Sequence, residues 1–251
     1  MASRSVPQIF DRKQASAKWD RARDRQRLHG GATYLTDTMA DDIAERLDFM
    51  QVEPARSLIV GESTNRLVRT LADKGSKASV GHLGGFDEEQ PGTPASFDLV
   101  VHLLGLGMVN DLPGAMIHAR NVIAEGGLFI AAFPGAGSMP VLRQLALAAD
   151  GDRPAARMHP LVDNRAGTAL LERAGFARQV VDSYPIRVRF PSLDRMISDL
   201  RDHGLTGSLY TPSPPLTRQA WARAEALFDE MREDNGKVVE TFEILTLTGW
   251  R

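Results

Sequence analysis

The sequence contains no cysteine among its 251 residues. This absence excludes disulfides, thiolate metal sites and a cysteine nucleophile. Six histidines are present, but no two of them have the spacing typical of a metal site. P-loop, nucleophile-elbow and paired-glycosidase signatures are missing as well. The sequence therefore predicts no metal, and it identifies no catalytic residue.

Long apolar segments and an excess of one charge are also lacking. No apolar run approaches the roughly 20 residues that cross a bilayer, and the N-terminus lacks the apolar core of a signal peptide. The formal net charge is −2, so no overall attraction to nucleic acid or anionic lipid is expected. We therefore expect a cytoplasmic protein without a membrane span and without a nucleic-acid partner.

Strand and helix patterns alternate from residue 57 onward. This alternation predicts an α/β fold with a doubly wound, mostly parallel sheet. The predicted strands are 57–61, 79–83, 97–104, 128–133, 179–188 and 238–248, and the predicted helices between them are 65–74, 111–123, 139–150, 164–174, 192–203 and 217–234.

Two helices, 11–29 and 36–49, are predicted ahead of this sheet. The first is rich in basic residues, which is typical either of a solvated helix with Trp19 and Leu28 touching the body or of a basic arm for an acidic partner. Its three aspartates count against a targeting peptide. The predicted organisation is N-terminal helices (1–50), an α/β core (51–191), a helical lid (192–236) and a final strand of the core (237–251).

The loop after the first strand, 61–65, is the place where chemistry is expected, because ligands of such sheets bind at the carboxyl ends of the strands. A nucleotide-like ligand needs glycines there for close backbone approach, and an acid after the second strand for its ribose hydroxyls. Only Gly61 is a glycine in the expected place, and His82 stands where the acid belongs. Asn65 tolerates a left-handed turn. An ordinary turn without a ligand stays an equal alternative on these residues alone.

Several short segments occur in an order and spacing that resemble BioC-like methyltransferases. More narrowly, they resemble bacterial relatives of the mitochondrial complex I assembly methyltransferase-like factor. The likeness covers nearly the whole chain, and the segments are specific together and not singly. They are Ile9-Phe10-Asp11-Arg12, Phe97-Asp98-Leu99-Val100-Val101, Val109-Asn110-Asp111-Leu112-Pro113-Gly114-Ala115, Gly126-Gly127-Leu128-Phe129, Glu172-Arg173-Ala174-Gly175-Phe176, Val181-Asp182-Ser183, Asp199-Leu200-Arg201, Thr241-Phe242-Glu243-Ile244 and Leu247-Thr248-Gly249-Trp250.

The resemblance implies a Rossmann-like methyltransferase fold of seven strands, with an antiparallel last strand and the helical lid inserted before it. It implies S-adenosylmethionine as cofactor and a small-molecule or protein substrate. That substrate is an acyl carboxylate for BioC-type enzymes, and a respiratory-chain subunit to be modified or chaperoned for the complex I factor. Asp199 and Arg201 of the lid would bind the substrate. The implied cofactor-binding residues are Gly61, Glu62, Ser63, Asn65, His82, Leu104 and Gly105.

The sequence departs from the family pattern at the cofactor. Ile59 replaces an acid of the first strand, Ser63 and Asn65 replace glycines, His82 replaces the acid after the second strand, and Gly107-Met108 replaces a His-Trp pair. Each lost buried hydrogen bond costs about 1–3 kcal/mol, so two losses weaken binding roughly tenfold to ten-thousandfold. We therefore expect an S-adenosylmethionine-dependent methyltransferase-like protein with a degenerate cofactor loop.

Two alternatives stay open, so the sequence does not decide whether the protein is an enzyme. The first is a cofactor-independent binding or respiratory-complex assembly protein, whose cavity would be filled by Glu62, Arg66 or Met108. The second is a protein on the same fold that binds a different, anionic ligand opposite Arg201.

Overall fold

The computed structural model describes residues 7–251, and their core is one mixed β-sheet. The strands follow the order β2-β1-β3-β4-β6-β5. β1 to β4 pair in parallel, whereas β6 is antiparallel to both β4 and β5. The predicted α/β class and the antiparallel last strand are confirmed. The strands are β1 (Arg56–Val60), β2 (Lys77–Gly81), β3 (Phe97–Leu103), β4 (Ile123–Pro134), β5 (Ala177–Phe190) and β6 (Val238–Trp250).

The burial of the strands follows their place in the sheet. The central strands are covered on both faces, and therefore β1 and β4 are nearly continuous runs of buried apolar residues. β5 lies at an edge and alternates between exposed and half-buried residues. Such alternation is typical of a strand with one solvated face.

Helices cover the sheet and lie close to their predicted positions. Several begin where the side chain of a preceding Asp, Ser or Thr accepts a hydrogen bond from a backbone N–H of the first turn, as at Asp111 and Asp163. The helices are α1 (Arg12–His29), α2 (Tyr34–Phe49), α3 (Arg66–Asp73), α4 (Leu112–Val122), α5 (Pro140–Asp150), α6 (Asn164–Ala174), α7 (Leu193–Asp202) and α8 (Arg218–Glu230), with a 3-10 helix at Gly105–Met108.

The sheet of the described residues has six strands where seven were predicted. β2 is an edge strand of this sheet. Residues 82–96 connect β2 to β3 without a helix or strand. This connection is too short for a further helix–strand–helix excursion, and Pro91, Gly92 and Pro94 interrupt any regular structure in it.

Helix α1 lies against the body of the protein and is not a free arm. The Ser16 hydroxyl donates to the Gly84 carbonyl, and the buried Trp19 packs so closely on Gly204 that a Cβ there would lie 2.2 Å from its ring. The predicted burial of Trp19 is thus confirmed. The predicted contact of Leu28 is wrong, because its side chain is 61% exposed. None of the helices described for residues 7–251 is long and apolar enough to cross a membrane.

Candidate functional site

A cleft of about 590 Å³, here called the central cleft, opens at the carboxyl ends of β1, β2 and β3. Residues of α1, α2 and the end of α7 complete its walls. The lining residues are Trp19, Ala22, Arg23, Asp24, Gln26 and Arg27 of α1, Thr33 and Thr36 of α2, Gly61 to Asn65, His82, Leu83, Leu104, Asp202 and His203.

The loop after β1 makes a tight turn with a single glycine. Gly61 has φ +87°, and a Cβ at this position would lie 2.2 Å from the Leu103 carbonyl oxygen. Only glycine therefore lets the loop pass so close to β3. Asn65 adopts the left-handed conformation (φ 56°, ψ 30°) that its amide side chain tolerates. The turn is thus formed although glycines are missing at residues 63 and 65.

Glu62 caps the helix that follows. Its carboxylate accepts hydrogen bonds from the backbone N–H groups of Leu67 (2.6 Å) and Val68 (3.2 Å). Burial raises the pKa of Glu62, and these hydrogen bonds oppose that rise. In dinucleotide-binding folds the same helix terminus receives a phosphate. Here the protein's own carboxylate occupies it.

Hydrogen bonds tie the loop to the N-terminus of α2. The hydroxyls of Ser63 and Thr36 are 3.1 Å apart, and the Thr64 hydroxyl donates to the Asp37 carboxylate over 2.6 Å. The other oxygen of that carboxylate accepts from the Thr33 hydroxyl. These contacts fix the position of the loop relative to the cleft wall.

Three acids hold the segment 84–90 beside the cleft. Arg12 of α1 pairs with Asp87 and Glu89. Glu88 lies 3.1 Å from Nε2 of the buried His102 on β3. The segment therefore joins α1 to the centre of the sheet.

The Asn110 side chain connects the N-terminal segment to the region after β3. Its Oδ1 accepts from the backbone N–H groups of Ile9 and Phe10, both at 2.8 Å, and its Nδ2 donates to the Phe10 carbonyl over 3.1 Å. Phe10 in turn forms a β-bridge with Leu209. Two segments that carry the family resemblance thus contact each other directly.

The end of α7 contributes two buried polar residues to the cleft. Asp202 pairs with Arg25 of α1 and accepts from the Ala32 N–H over 2.9 Å. His203 is 1% exposed, and burial lowers its pKa to about 4. The imidazole is therefore neutral near pH 7.

Comparison with known proteins gives two kinds of relatives. No family model matches the chain. The chain is 32% identical over 170 residues to mouse arginine-hydroxylase NDUFAF5, mitochondrial, covering 66% of this chain and 50% of that protein. It is 26% identical over 273 residues to the malonyl-[acyl-carrier protein] O-methyltransferase of Laribacter hongkongensis, covering 96% and 90%. The chain thus spans about half the length of the NDUFAF5 relatives it matches.

Solved structures agree with these relatives in fold. A Bacillus halodurans methyltransferase-type structure superposes with a TM-score of 0.54 at 15% identity, covering 82% of this chain and 97% of that one. Phosphoethanolamine N-methyltransferase 2 of Haemonchus contortus gives 0.50 at 11% identity, covering 84% and 52%. The chain has the fold of these methyltransferase structures. At these identities the structures establish the fold alone.

The class I methyltransferase fold brings most of the predicted cofactor residues together. Gly105 borders a small cavity of about 80 Å³, which shares Trp19 with the central cleft. The other six line the central cleft itself: Gly61, Glu62, Ser63, Asn65, His82 and Leu104. Their roles toward a cofactor stay predictions.

The predicted substrate residues of the lid lie elsewhere. Asp199 borders a separate depression beside α2 and β5 and pairs with Arg195 over 2.8 Å. Arg201 is exposed and does not line the central cleft. The adjacent Asp202 and His203 line that cleft instead.

Sequence reasoning did not assign α1 to the site. Trp19 and Ala22 are buried, lie three residues apart and therefore share one face of the helix. This short apolar stripe in a charged helix was the available signal. The direction in which the stripe faces depends on long-range contacts.

A second, largely apolar cavity of about 400 Å³ lies among α5, α7 and α8. We call it the apolar cavity. Leu142, Leu145, Ile197, Leu200 and Trp221 are among its lining residues. α7 separates it from the central cleft.

The apolar cavity contains few groups that could bind a polar ligand. Arg157 pairs with the buried Asp150, and burial lowers the pKa of His159 to about 4.

Across residues 7–251, no three His, Asp or Glu side chains are grouped so that they could hold a metal ion.

Proposed function

We propose that this chain is an S-adenosylmethionine-dependent methyltransferase that binds its cofactor in the central cleft. The observation that carries the proposal is the retained turn at Gly61 and Asn65 beside a cleft of about 590 Å³. The side chains that could have filled the cleft point elsewhere. Glu62 caps α3, Arg66 extends to Asp37 and Asp41, and Met108 borders the small cavity.

The residues of the cleft fit S-adenosylmethionine better than a dinucleotide. A dinucleotide would bring a pyrophosphate to the N-terminus of α3, where the Glu62 carboxylate already accepts the N–H groups and would repel it. S-adenosylmethionine has no phosphate, so this cap does not oppose its binding. His82 in place of an acid leaves the ribose hydroxyls with a weaker partner, and we propose a correspondingly lower affinity.

S-adenosylmethionine supplies a methyl group on a sulfonium, and the main task of the protein is to align it with the acceptor. The backbone of the loop 61–65 would hold the nucleoside. Leu104 and Gly105 would lie beneath the methionine end. Trp19 would cover the cleft from α1 and exclude water from it.

The apolar cavity supports an acceptor with an apolar portion. The two sides of α7 differ in character, since Ile197 and Leu200 line the apolar cavity and Asp202 and His203 line the central cleft. The apolar portion of an acceptor would lie in the apolar cavity, and its methyl-accepting atom would have to reach past α7 into the central cleft to meet the sulfonium methyl. We propose a small molecule of this kind as substrate.

A second candidate is a cofactor-independent factor that binds or assembles a protein, such as a respiratory-chain subunit. The identity of 32% to a protein named arginine-hydroxylase NDUFAF5 favours it. Binding of S-adenosylmethionine by this chain distinguishes the candidates. A cofactor-independent assembly factor would not bind it.

Titration calorimetry with S-adenosylmethionine tests the proposed function. We expect saturable heat from the wild-type chain, together with a rise in melting temperature. The exposed Ser63 lines the cleft, so S63W should abolish the heat without unfolding the chain. T93W, on the exposed connection after β2, is the matched control and should bind normally. No heat and no melting shift of the wild type at millimolar ligand would end the proposal.

A further inference from the structure

A buried histidine of the lid lies at the central cleft without a hydrogen-bond partner. His203 follows the last residue of α7 and lines the cleft. Within residues 7–251, neither Nδ1 nor Nε2 of its ring has a hydrogen-bond partner. Buried polar groups are nearly always paired. Both nitrogens are covered in this structure, so a ligand in the cleft would meet them only after the ring or its neighbours shift.

The charged groups around this ring already have partners of their own. Asp202 is occupied by Arg25 and the Ala32 N–H, and Asp37 accepts from two threonine hydroxyls. The ring itself packs edge-on against Tyr34, with centroids 4.6 Å apart. A neutral imidazole carries one donor and one acceptor nitrogen, and the depressed pKa of about 4 keeps His203 in that form.

The N-terminus of α2 lies at the same part of the cleft. Thr33 and Thr36 line it, and the Thr33 side chain makes no capping hydrogen bond to the helix. Backbone N–H groups at a helix N-terminus favour a carboxylate. Asp37 in the same turn borders the depression beside α2 and β5, and its carboxylate accepts from Thr33 and Thr64. The N-terminus of α2 thus complements the carboxylate of an α-amino acid.

We propose that His203 and the N-terminus of α2 bind the amino acid end of S-adenosylmethionine, with His203 contacting the ligand directly. This inference rests on the proposed function, because it assigns one end of the same ligand. It gives the lid a binding role: the cofactor's methionine end would bridge α2 and α7, while the loop 61–65 holds the nucleoside.

Calorimetry with two ligands tests the assignment. S-adenosylmethionine carries the amino acid end, and 5′-methylthioadenosine lacks it. H203F keeps an aromatic ring against Tyr34 but removes both nitrogens. We expect H203F to bind S-adenosylmethionine at least tenfold more weakly than wild type and 5′-methylthioadenosine within twofold of wild type. H203Q retains a donor and an acceptor and should recover part of the loss.

Each outcome separates the inference from the function on which it rests. Equal affinity of wild type and folded H203F for S-adenosylmethionine overturns the role of His203 and leaves the proposed function standing. An equal loss for both ligands also overturns it, because the effect is then structural. A wild-type chain that binds neither ligand refutes the proposed function itself. If H203F does not fold, the same two-ligand comparison is made with H203Q, where a smaller loss confined to S-adenosylmethionine is expected.

Discussion

Single residues of the loop after β1 replace what the missing glycines would provide. Asn65 takes up the left-handed conformation, and this was predictable because the preference belongs to the residue itself. The capping role of Glu62 was not predictable. It depends on where α3 begins and on the direction of its first N–H groups.

Removing the Glu62 carboxylate should destabilise the fold. E62A leaves the Leu67 and Val68 N–H groups without their acceptor, and the loss of such a cap typically costs about 1 kcal/mol. E62Q keeps an amide oxygen as acceptor and should lose less. Urea unfolding of the three proteins measures the free energies of unfolding. Equal stability of E62A and wild type would contradict the capping role.

At the scale of elements, α1 and the lid form one wall of the site although they are distant in sequence. Trp19 packs on Gly204, and Arg25 pairs with Asp202. The charge pattern and the glycine break predicted the extent of α1. Its location was not predictable, because contacts that fix it, such as Ser16 with Gly84 and Arg25 with Asp202, join residues more than sixty positions apart.

Which of the neighbouring lid residues faces the central cleft also depends on contacts between distant parts of the chain. Successive residues of an α-helix point about 100° apart. A small change in how α7 rotates against the body therefore decides whether Arg201 or His203 reaches the cleft. The sequence located polar residues on this helix but did not fix that rotation.

Loss of the Asn110 side chain should release the N-terminal segment while leaving the sheet intact. N110A removes three hydrogen bonds to Ile9 and Phe10. We expect faster amide hydrogen exchange in residues 9–20 and unchanged protection of β3 and β4. N121A is the control, since Asn121 is exposed. Uniform exchange changes across the chain, or none, would refute Asn110 as the anchor of α1.

At the scale of the whole molecule, the sequence predicted the architecture and the edge of the sheet at which the central cleft opens. Both follow from the alternation of strand and helix patterns, because parallel strands place their carboxyl ends at the same edge of the sheet. The number of strands was overestimated through the family resemblance, since residues 82–96 form a connection without a strand. The closure of the cleft by α1 and α7 is a property of the assembled chain.

Two histidines with lowered pKa values make the stability of the whole molecule depend on pH. Burial lowers the pKa of His159 and of His203 to about 4, whereas a histidine in the unfolded chain titrates near 6.5. Between these values the unfolded state binds more protons than the folded state. As far as these two histidines are concerned, the free energy of unfolding is therefore highest above about pH 6.5 and falls as the pH is lowered toward 4. Glu62 and Glu240, whose pKa values are raised by burial, oppose this fall.

A comparison of variants isolates the contribution of His159, which packs against Phe10 with ring centroids 5.1 Å apart. Each pKa unit corresponds to about 1.4 kcal/mol, so His159 should account for roughly 2 kcal/mol of the loss between pH 6.5 and 4.5. H159F cannot take up this proton and should lose correspondingly less stability over that interval. H29F alters an exposed histidine and should follow the wild type. Urea unfolding at both pH values measures the difference, and an equal loss in H159F and wild type would show that His159 protonates as readily in the folded chain as in the unfolded one.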